Sequence, residues 1–297
     1  MLLFFLKKIS YIIFFFLICF DINNGQRLNN FFNSPENRLK FANQLFIEKD
    51  YLRALEEYKE YLKVYDNDTV RFKYAECLLR IERFEESGEN FKSLFFNSTL
   101  EEEAKLNFYR ANFLLNLSNN NLAHFREIAE KEIYQSEKFS KYINRLKFIS
   151  YLFDKSPLPD SSKFFSAFDD SNYTFIKKFY LLKKYPPYKS KTTAGILSAF
   201  LPGLGKIYLG ETGDGVTAFI ATGLLTILSV NNFNNDHQFR GWLFAGLSAL
   251  TYAGNIYGSV AAAKVYNAKV KSSFINEMNN YFKQRNYFLP HFDFIER

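Results

Sequence analysis

The stretch Leu39–Tyr65, LKFANQLFIEKDYLRALEEYKEYLKVY, decides the fold because it can be laid without gaps over FKYAECLLRIERFEESGENFKSLFF, which begins at Phe72. The step from Leu39 to Phe72 falls within the range of about 20–50 residues that marks stacked structural repeats. Ala42 then meets Ala75, Leu45 meets Leu78, Tyr51 meets Phe84, Ala54 meets Ser87 and Tyr58 meets Phe91. Inside each copy the apolar residues recur at three and four, as in Leu39, Ala42, Leu45, Phe46 and then Leu55, Tyr58, Leu62, which is the spacing of one helix face. The small residues at 42 and 54 let two antiparallel helices cross closely, and the aromatics at 51 and 58 fill the flanks. A weaker third copy runs around Phe108–Ile128, with Ala111, Leu114, Asn119 and Ala123 in comparable places after a three-residue length difference. More helix is expected at Glu137–Phe153 and Tyr173–Lys184. Units of this kind bury their apolar face only against neighbours, so about three helix pairs, forming a short solenoid over residues 33–153, are the expectation.

These positions resemble the tetratricopeptide repeat. The resemblance implies a partner-binding module whose concave groove, lined by the first helix of each pair, holds a peptide or a helix. On that alignment Asn43, Phe72, Glu76 and Arg80 face the groove. The competing reading makes Asn43, Glu76 and Arg80 solvated positions on an amphipathic helix and Phe72 a core residue. Tyr61 stands at a usually small site and Asp66 where proline often ends the second helix. The lysine that the peptide-clamp variant of the family needs is absent from the position shared by Leu39 and Phe72, so that specificity is not implied.

Upstream, Met1–Phe20 reads MLLFFLKKISYIIFFFLICF, with Lys7 and Lys8 ahead of a weakly polar-to-apolar run from Ile9 to Phe20. At about 1.5 Å per residue that run covers roughly 18 Å of a hydrocarbon core about 30 Å thick. It therefore matches a secretory signal better than a span, and residues 1–25 are assigned as a signal peptide or an uncleaved signal anchor. The two lysines hold the amino terminus in the cytoplasm and send the repeats outward, so that they are expected to be periplasmic or otherwise extracytoplasmic. Cys19 lacks a small residue before it, since Ile18 stands there, which argues against lipidation.

Downstream, two proline-bearing stretches, SPLPDSS at 156–162 and KKYPPYKSK at 183–191, bound a helical linker over 154–191, the second being the stronger boundary. From Thr192 to Ala263 the only charged residues are Lys206, Glu211, Asp214, Asp236 and Arg240. The apolar stretches Val216–Val230 and Gly241–Ala263, joined by NNFNNDHQFR, read as two spans whose ends lie on one side. The first is marginal in length and must borrow from its flanks, whereas the second is long enough to cross with tilt. The segment Ala194–Tyr208, broken by Pro202, Gly203 and Gly205, reads as interfacial or re-entrant, packed on the spans. Glu211 and Asp214, three apart just before the first span, read as caps of that helix, with cation binding as the alternative.

LSAFLPGLGKIYLGETGDG with NIYGSVAAAKVYN resembles the small two-span membrane domains of bacterial envelope proteins that carry a Pro-Gly-x-Gly-x-x-Tyr-x-Gly signature. The matching residues are Pro202, Gly203, Gly205, Tyr208, Gly210, Gly215, Asn255, Tyr257 and Gly258. The resemblance implies a membrane module at 192–263, often joined to helical repeats, and carries no activity with it. Gly254 and Gly258 form a small-x-x-x-small face, extended by Ala245, Ala249 and Ala253, that suits packing within the hairpin, or against a second copy or another membrane protein. Lysines 183, 184, 189 and 191 flank the hairpin at one end and 264, 269 and 271 at the other. By the positive-inside rule they would put both ends in the cytoplasm, against the export signal, which acts first and is preferred. They also suit anionic lipid headgroups. The tail, 264–297, alternates lysines with Phe274, Ile275, Met278, Tyr281 and Phe282 and is expected to be an amphipathic helix lying on the membrane or on the repeats.

Chemistry is sparse. The net charge of +7 is spread along 297 residues, which reads as a solvated surface and not a nucleic-acid partner. His124, His237 and His291 fall in separate segments with no ligand-spaced partner, so no metal is expected. PGLGKIYLG lacks the lysine-serine ending and the preceding strand of a phosphate loop, and no cofactor is implied. The sequence therefore points to an all-α scaffold, not an enzyme: a repeat domain tethered by a two-span module that binds or organises other envelope proteins. The competing class is a membrane-active subunit, lining a small pathway or assisting protein insertion and assembly, with the repeats regulating it.

Overall fold

The computed structural model describes residues 34–131, 136, 138–168, 170–292 and 294. The targeting segment expected at 1–25 lies outside them. Every regular element among the described residues is helical. The chain divides into two compact units, one of residues 1–168 with 288–297 and one of residues 169–287.

In the first unit α1 (Pro35–Ile47), α2 (Tyr51–Leu62), α3 (Asp68–Arg80), α4 (Phe84–Lys92), α5 (Glu101–Ser118), α6 (Leu122–Glu130) and α7 (Ser140–Phe153) pack each on the next, followed by the short α8 (Ser161–Phe165). The starts are set by side-chain caps. Ser34 Oγ accepts from the Asn37 amide at 3.3 Å with Pro35 at the first helical position, Asp50 from Arg53, and Asn67 from Val70. The turns inside the pairs repeat one device. The amides of Asp50, Arg83 and Asn121 reach back to the carbonyls of Leu45, Leu78 and Asn116, while Lys49, Glu82 and Asn120 take positive φ. The step from Lys49 to Glu82 equals that from Pro35 to Asp68, where α1 and α3 begin, and that from Tyr51 to Phe84, where α2 and α4 begin.

The third pair departs from the expected three-residue difference. Its turn residue, Asn120, comes later than the step from Lys49 to Glu82 would place it, because α5 has 18 residues against 13 in α3. The five extra residues move Ala123 onto the surface and bring Phe113 and Phe125, both fully buried, to the crossing that Ala75 and Ser87 make in the second pair. There Ser87 Oγ donates to the Ala75 carbonyl at 2.8 Å, whereas the two rings of the third pair meet edge to face at 5.4 Å.

The second unit holds α9 (Asp170–Lys184), α10 (Lys191–Phe200), α11 (Leu204–Tyr208), α12 (Thr212–Asn234) and α13 (Gln238–Gln284). Helices α12 and α13 run antiparallel, with Thr226 Oγ1 and Ser248 Oγ 2.8 Å apart and Ser229 Oγ donating to the Gly241 carbonyl at 2.9 Å. The first apolar stretch does borrow from both flanks, and α12 is the one helix among the described residues long and apolar enough to cross a membrane. Helix α13 continues without a break for 47 residues, so residue 263, set as a boundary from the sequence, lies in mid-helix. Its distal half covers itself with α9: Phe179 meets Phe274, Tyr281 and Phe282, and Phe175 stacks on Tyr281 at 5.1 Å. Phe282 and Met278 are buried there. The partner of this amphipathic stretch is thus α9, which is why the division falls near 169 and not at the paired prolines.

Candidate partner face and membrane-unit signature

Three of the four residues expected to line the groove, Asn43, Glu76 and Arg80, take part in side-chain hydrogen bonds in the first unit. Asn43 Oδ1, on α1, accepts from Tyr58 OH at 2.8 Å and from Lys73 Nζ at 2.9 Å. Glu76, on α3, is almost wholly buried, and its carboxylate accepts from Arg80 Nε at 2.7 Å and from Arg110 of α5 at 3.2 and 3.3 Å. Arg80 is more exposed and its guanidinium lies 5.8 Å from the centre of the Tyr51 ring. Half-buried Asn43 and buried Glu76 therefore tie neighbouring first helices together, and Glu76 is not a solvated position. A buried carboxylate between two guanidiniums is favourable only while both partners stay. Burial pulls the Lys73 ammonium below the usual lysine range, and it pushes the Cys77 thiol up, leaving that cysteine an inert core residue.

Phe72 is fully buried but not by the repeats alone. Its ring meets Phe91 of α4 at 5.0 Å and also Phe294 at 5.1 Å and Phe292 at 6.2 Å, and Phe292 in turn meets Phe139 at 5.7 Å. Phe292 and Phe294 thus belong to the repeat unit and rest on the Phe72 ring of the face expected to take a partner. Sequence reasoning missed Lys73, Arg110, Phe139, Phe292 and Phe294. The aromatic pair Phe292-x-Phe294 after Pro290 is the signal that could have been read; nothing in the spacing ties Arg110 to Glu76.

In the second unit the signature glycines Gly203, Gly205 and Gly215 lie in close backbone contacts. Gly203, in the turn after Pro202, has φ +90°, and a Cβ there would fall 1.9 Å from the Gly215 carbonyl oxygen. A Cβ on Gly205 would fall 2.0 Å from the Ala194 carbonyl oxygen. The backbone of α11 therefore lies directly against α10 and the start of α12. Ser198 Oγ accepts from the Gly205 amide at 3.0 Å and pairs with Ser259 of α13 at 2.7 Å. Gly210 closes the α11 turn at φ +90°. Tyr208 OH accepts from the Ser190 amide at 3.3 Å, and its ring carries the Lys189 ammonium at 4.7 Å. Asn255 is buried with neither side-chain atom hydrogen-bonded, and Tyr257 is exposed. The packing of α12 on α13 does not use the Gly254 and Gly258 face: a Cβ on Gly254 would meet nothing within 4 Å, and one on Gly258 only the Lys206 stem at 3.9 Å.

Lys189 and Asn267 exchange two hydrogen bonds, of 2.8 and 2.9 Å, which puts the lysine clusters before α10 and after residue 263 at one end of the unit. Of the charged residues near α12 and α13, Glu211, Asp214 and Arg240 are exposed, and Lys206 Nζ lies 4.0 Å from Asp214. Among the described residues no group of three or more His, Cys, Asp or Glu side chains could hold a metal ion. Compared with family models, with curated proteins and with solved structures, the chain matches none.

Proposed function

We propose that this protein is a membrane-tethered scaffold of the tetratricopeptide-repeat type, whose repeat unit binds or organises other envelope proteins and whose second unit is a two-span anchor in a bacterial inner membrane. The observation that carries the reading is the contrast in surface between the units. The repeats fully bury Tyr58, Phe91, Tyr109, Phe113 and Phe125 while leaving Phe41, Leu52 and Phe96 exposed, whereas only 11% of the most apolar stretch of α12 is buried and Phe219, Leu224, Ile227, Trp242 and Leu250 stand exposed. Contiguous apolar surface on that scale is unfavourable in water and favourable in lipid. The lysines gathered by the Lys189–Asn267 bridge supply a collar for anionic headgroups. The open Gly254/Gly258 stripe leaves room for a second copy. The exposed Glu211, Asp214 and Arg240 support an anchor over a polar pathway. The second reading, a membrane-active subunit, draws its support from Asn255, whose buried amide has no hydrogen-bond partner on α13 one turn before Ser259.

Single cysteines at Asn119 and Asn234, both exposed, test the reading once Cys19 and Cys77 are replaced by serine. An impermeant maleimide applied to intact cells should label residue 119 and not residue 234. The opposite pattern places the repeats in the cytoplasm and sinks the envelope assignment.

A further inference from the structure

We infer that the face formed by Phe72 and Phe139 is a peptide site whose built-in occupant is the chain's own Phe292-x-Phe294. On this view a partner enters by displacing that tail with an extended segment of the same aromatic-x-aromatic pattern. The inference rests on the scaffold reading and names the chemistry of its partner. Three observations carry it. Residue 72 is the repeat equivalent of residue 39, and Leu39 stays half-buried while Phe72 is fully buried; the difference coincides with the two tail rings at 5.1 and 6.2 Å. Phe292 and Phe294 themselves remain half-buried, as docked side chains do and central core side chains do not. The segment that delivers them has no regular secondary structure from 289 to 292, where Pro290 prevents continuation of a helix.

A tethered occupant competes at a high effective concentration, of the order of millimolar for a short linker. If it fills the face nine-tenths of the time, a free peptide binds about tenfold more weakly than to an empty face. The experiment uses the full-length protein in detergent micelles and a fluorescent peptide with the sequence of residues 286–297, read by anisotropy. Phe292→Ala/Phe294→Ala protein should bind the peptide at least about tenfold more tightly than the wild type, and a peptide carrying the same two alanines should not bind. Equal binding by both proteins, or none by a variant whose circular dichroism is unchanged, overturns the inference. Should the double variant unfold, a protease site inserted after Leu289 replaces it. After cleavage the cut tail should exchange for the labelled peptide, whereas a cut tail that stays bound without exchange marks an ordinary core strap and overturns it. Dimerisation lost in the double variant would assign the occupant to a second copy and overturn the intramolecular form. A folded variant that ignores the peptide while the repeats still crosslink to exported proteins sinks the site and leaves the scaffold reading. Peptide binding by a protein whose repeats label only from inside the cell keeps the site and sinks the envelope assignment.

Discussion

Arg126 shows how single residues of the repeat unit are held by charge in a largely apolar interior. Its guanidinium donates to Asp154 at 2.6 Å, to Ser150 Oγ at 3.1 Å and to Ser156 Oγ at 2.7 Å, and lies 4.3 Å from the centre of the Tyr151 ring. Burial works to raise the Asp154 carboxyl, but the hydrogen bonds from Arg126 and Ser156 together with the Arg126 charge outweigh it and hold the group below its ordinary value of 3.8. The carboxylate therefore binds its proton more weakly folded than unfolded. The stability it contributes is complete above pH 3.8 and is lost as pH falls below that through the folded value. Urea unfolding of the wild type should thus weaken in that acid window, and Asp154→Asn should remove that part of the slope while losing about 3 kcal/mol at neutral pH, because Arg126 is left in the interior without its counter-charge. An unchanged slope in the variant would show that another carboxylate sets the acid limit. Glu76, hydrogen-bonded to Arg80 and Arg110, is a second buried ion pair, between α3 and α5.

Among the elements, the turn from α10 through α11 into α12 is the most tightly specified. Gly203 combines positive φ with a carbonyl where its Cβ would stand, so relief requires the backbone of α12 to retreat. Gly203→Ala should destabilise the second unit by about 3 kcal/mol, the sum of left-handed strain and overpacking. Gly223 lies inside α12 with nothing within 4 Å of its Cβ position, and Gly223→Ala should be neutral or stabilise by up to about 1 kcal/mol through helix propensity. Thermal unfolding in detergent measures both, and equal effects would mean that propensity alone governs these glycines. The prediction separates two roles that the signature string does not: Gly203, Gly205 and Gly215 close a backbone contact, while Gly254 and Gly258 leave a stripe open. The third helix pair makes a related point. The greater length of α5 exchanges a small-residue crossing for a Phe113–Phe125 ring contact.

At the scale of the whole molecule, the chain alternates between its units: the repeats, then α9 to α13, then a final segment that belongs with the repeats again. Trp242, the chain's single tryptophan, reports on the second unit without further labelling, since it is exposed and meets Phe233 at 5.4 Å near the α12–α13 turn. In reconstituted vesicles its emission should be blue-shifted, quenched by lipids brominated close to the headgroup and insensitive to iodide, as for an aromatic anchor at the interface. Emission quenched by iodide alone would mean that this end of the unit stays in water. What the sequence by itself determined is whatever repeats over short distances: the helical class, the step from one helix pair to the next, the small residues at two crossings and the apolar α12. A helix face or an apolar run is written in residues three, four or seven apart, and those patterns act wherever the chain goes. Only the tertiary structure decided that Glu76 meets Arg110, that the distal half of α13 belongs with α9, and that Phe72 lies under Phe294 from the far end of the chain. Such pairs are chosen by which surfaces remain uncovered after the local elements form, and many aromatic side chains in a chain with 36 phenylalanines satisfy the local pattern equally well.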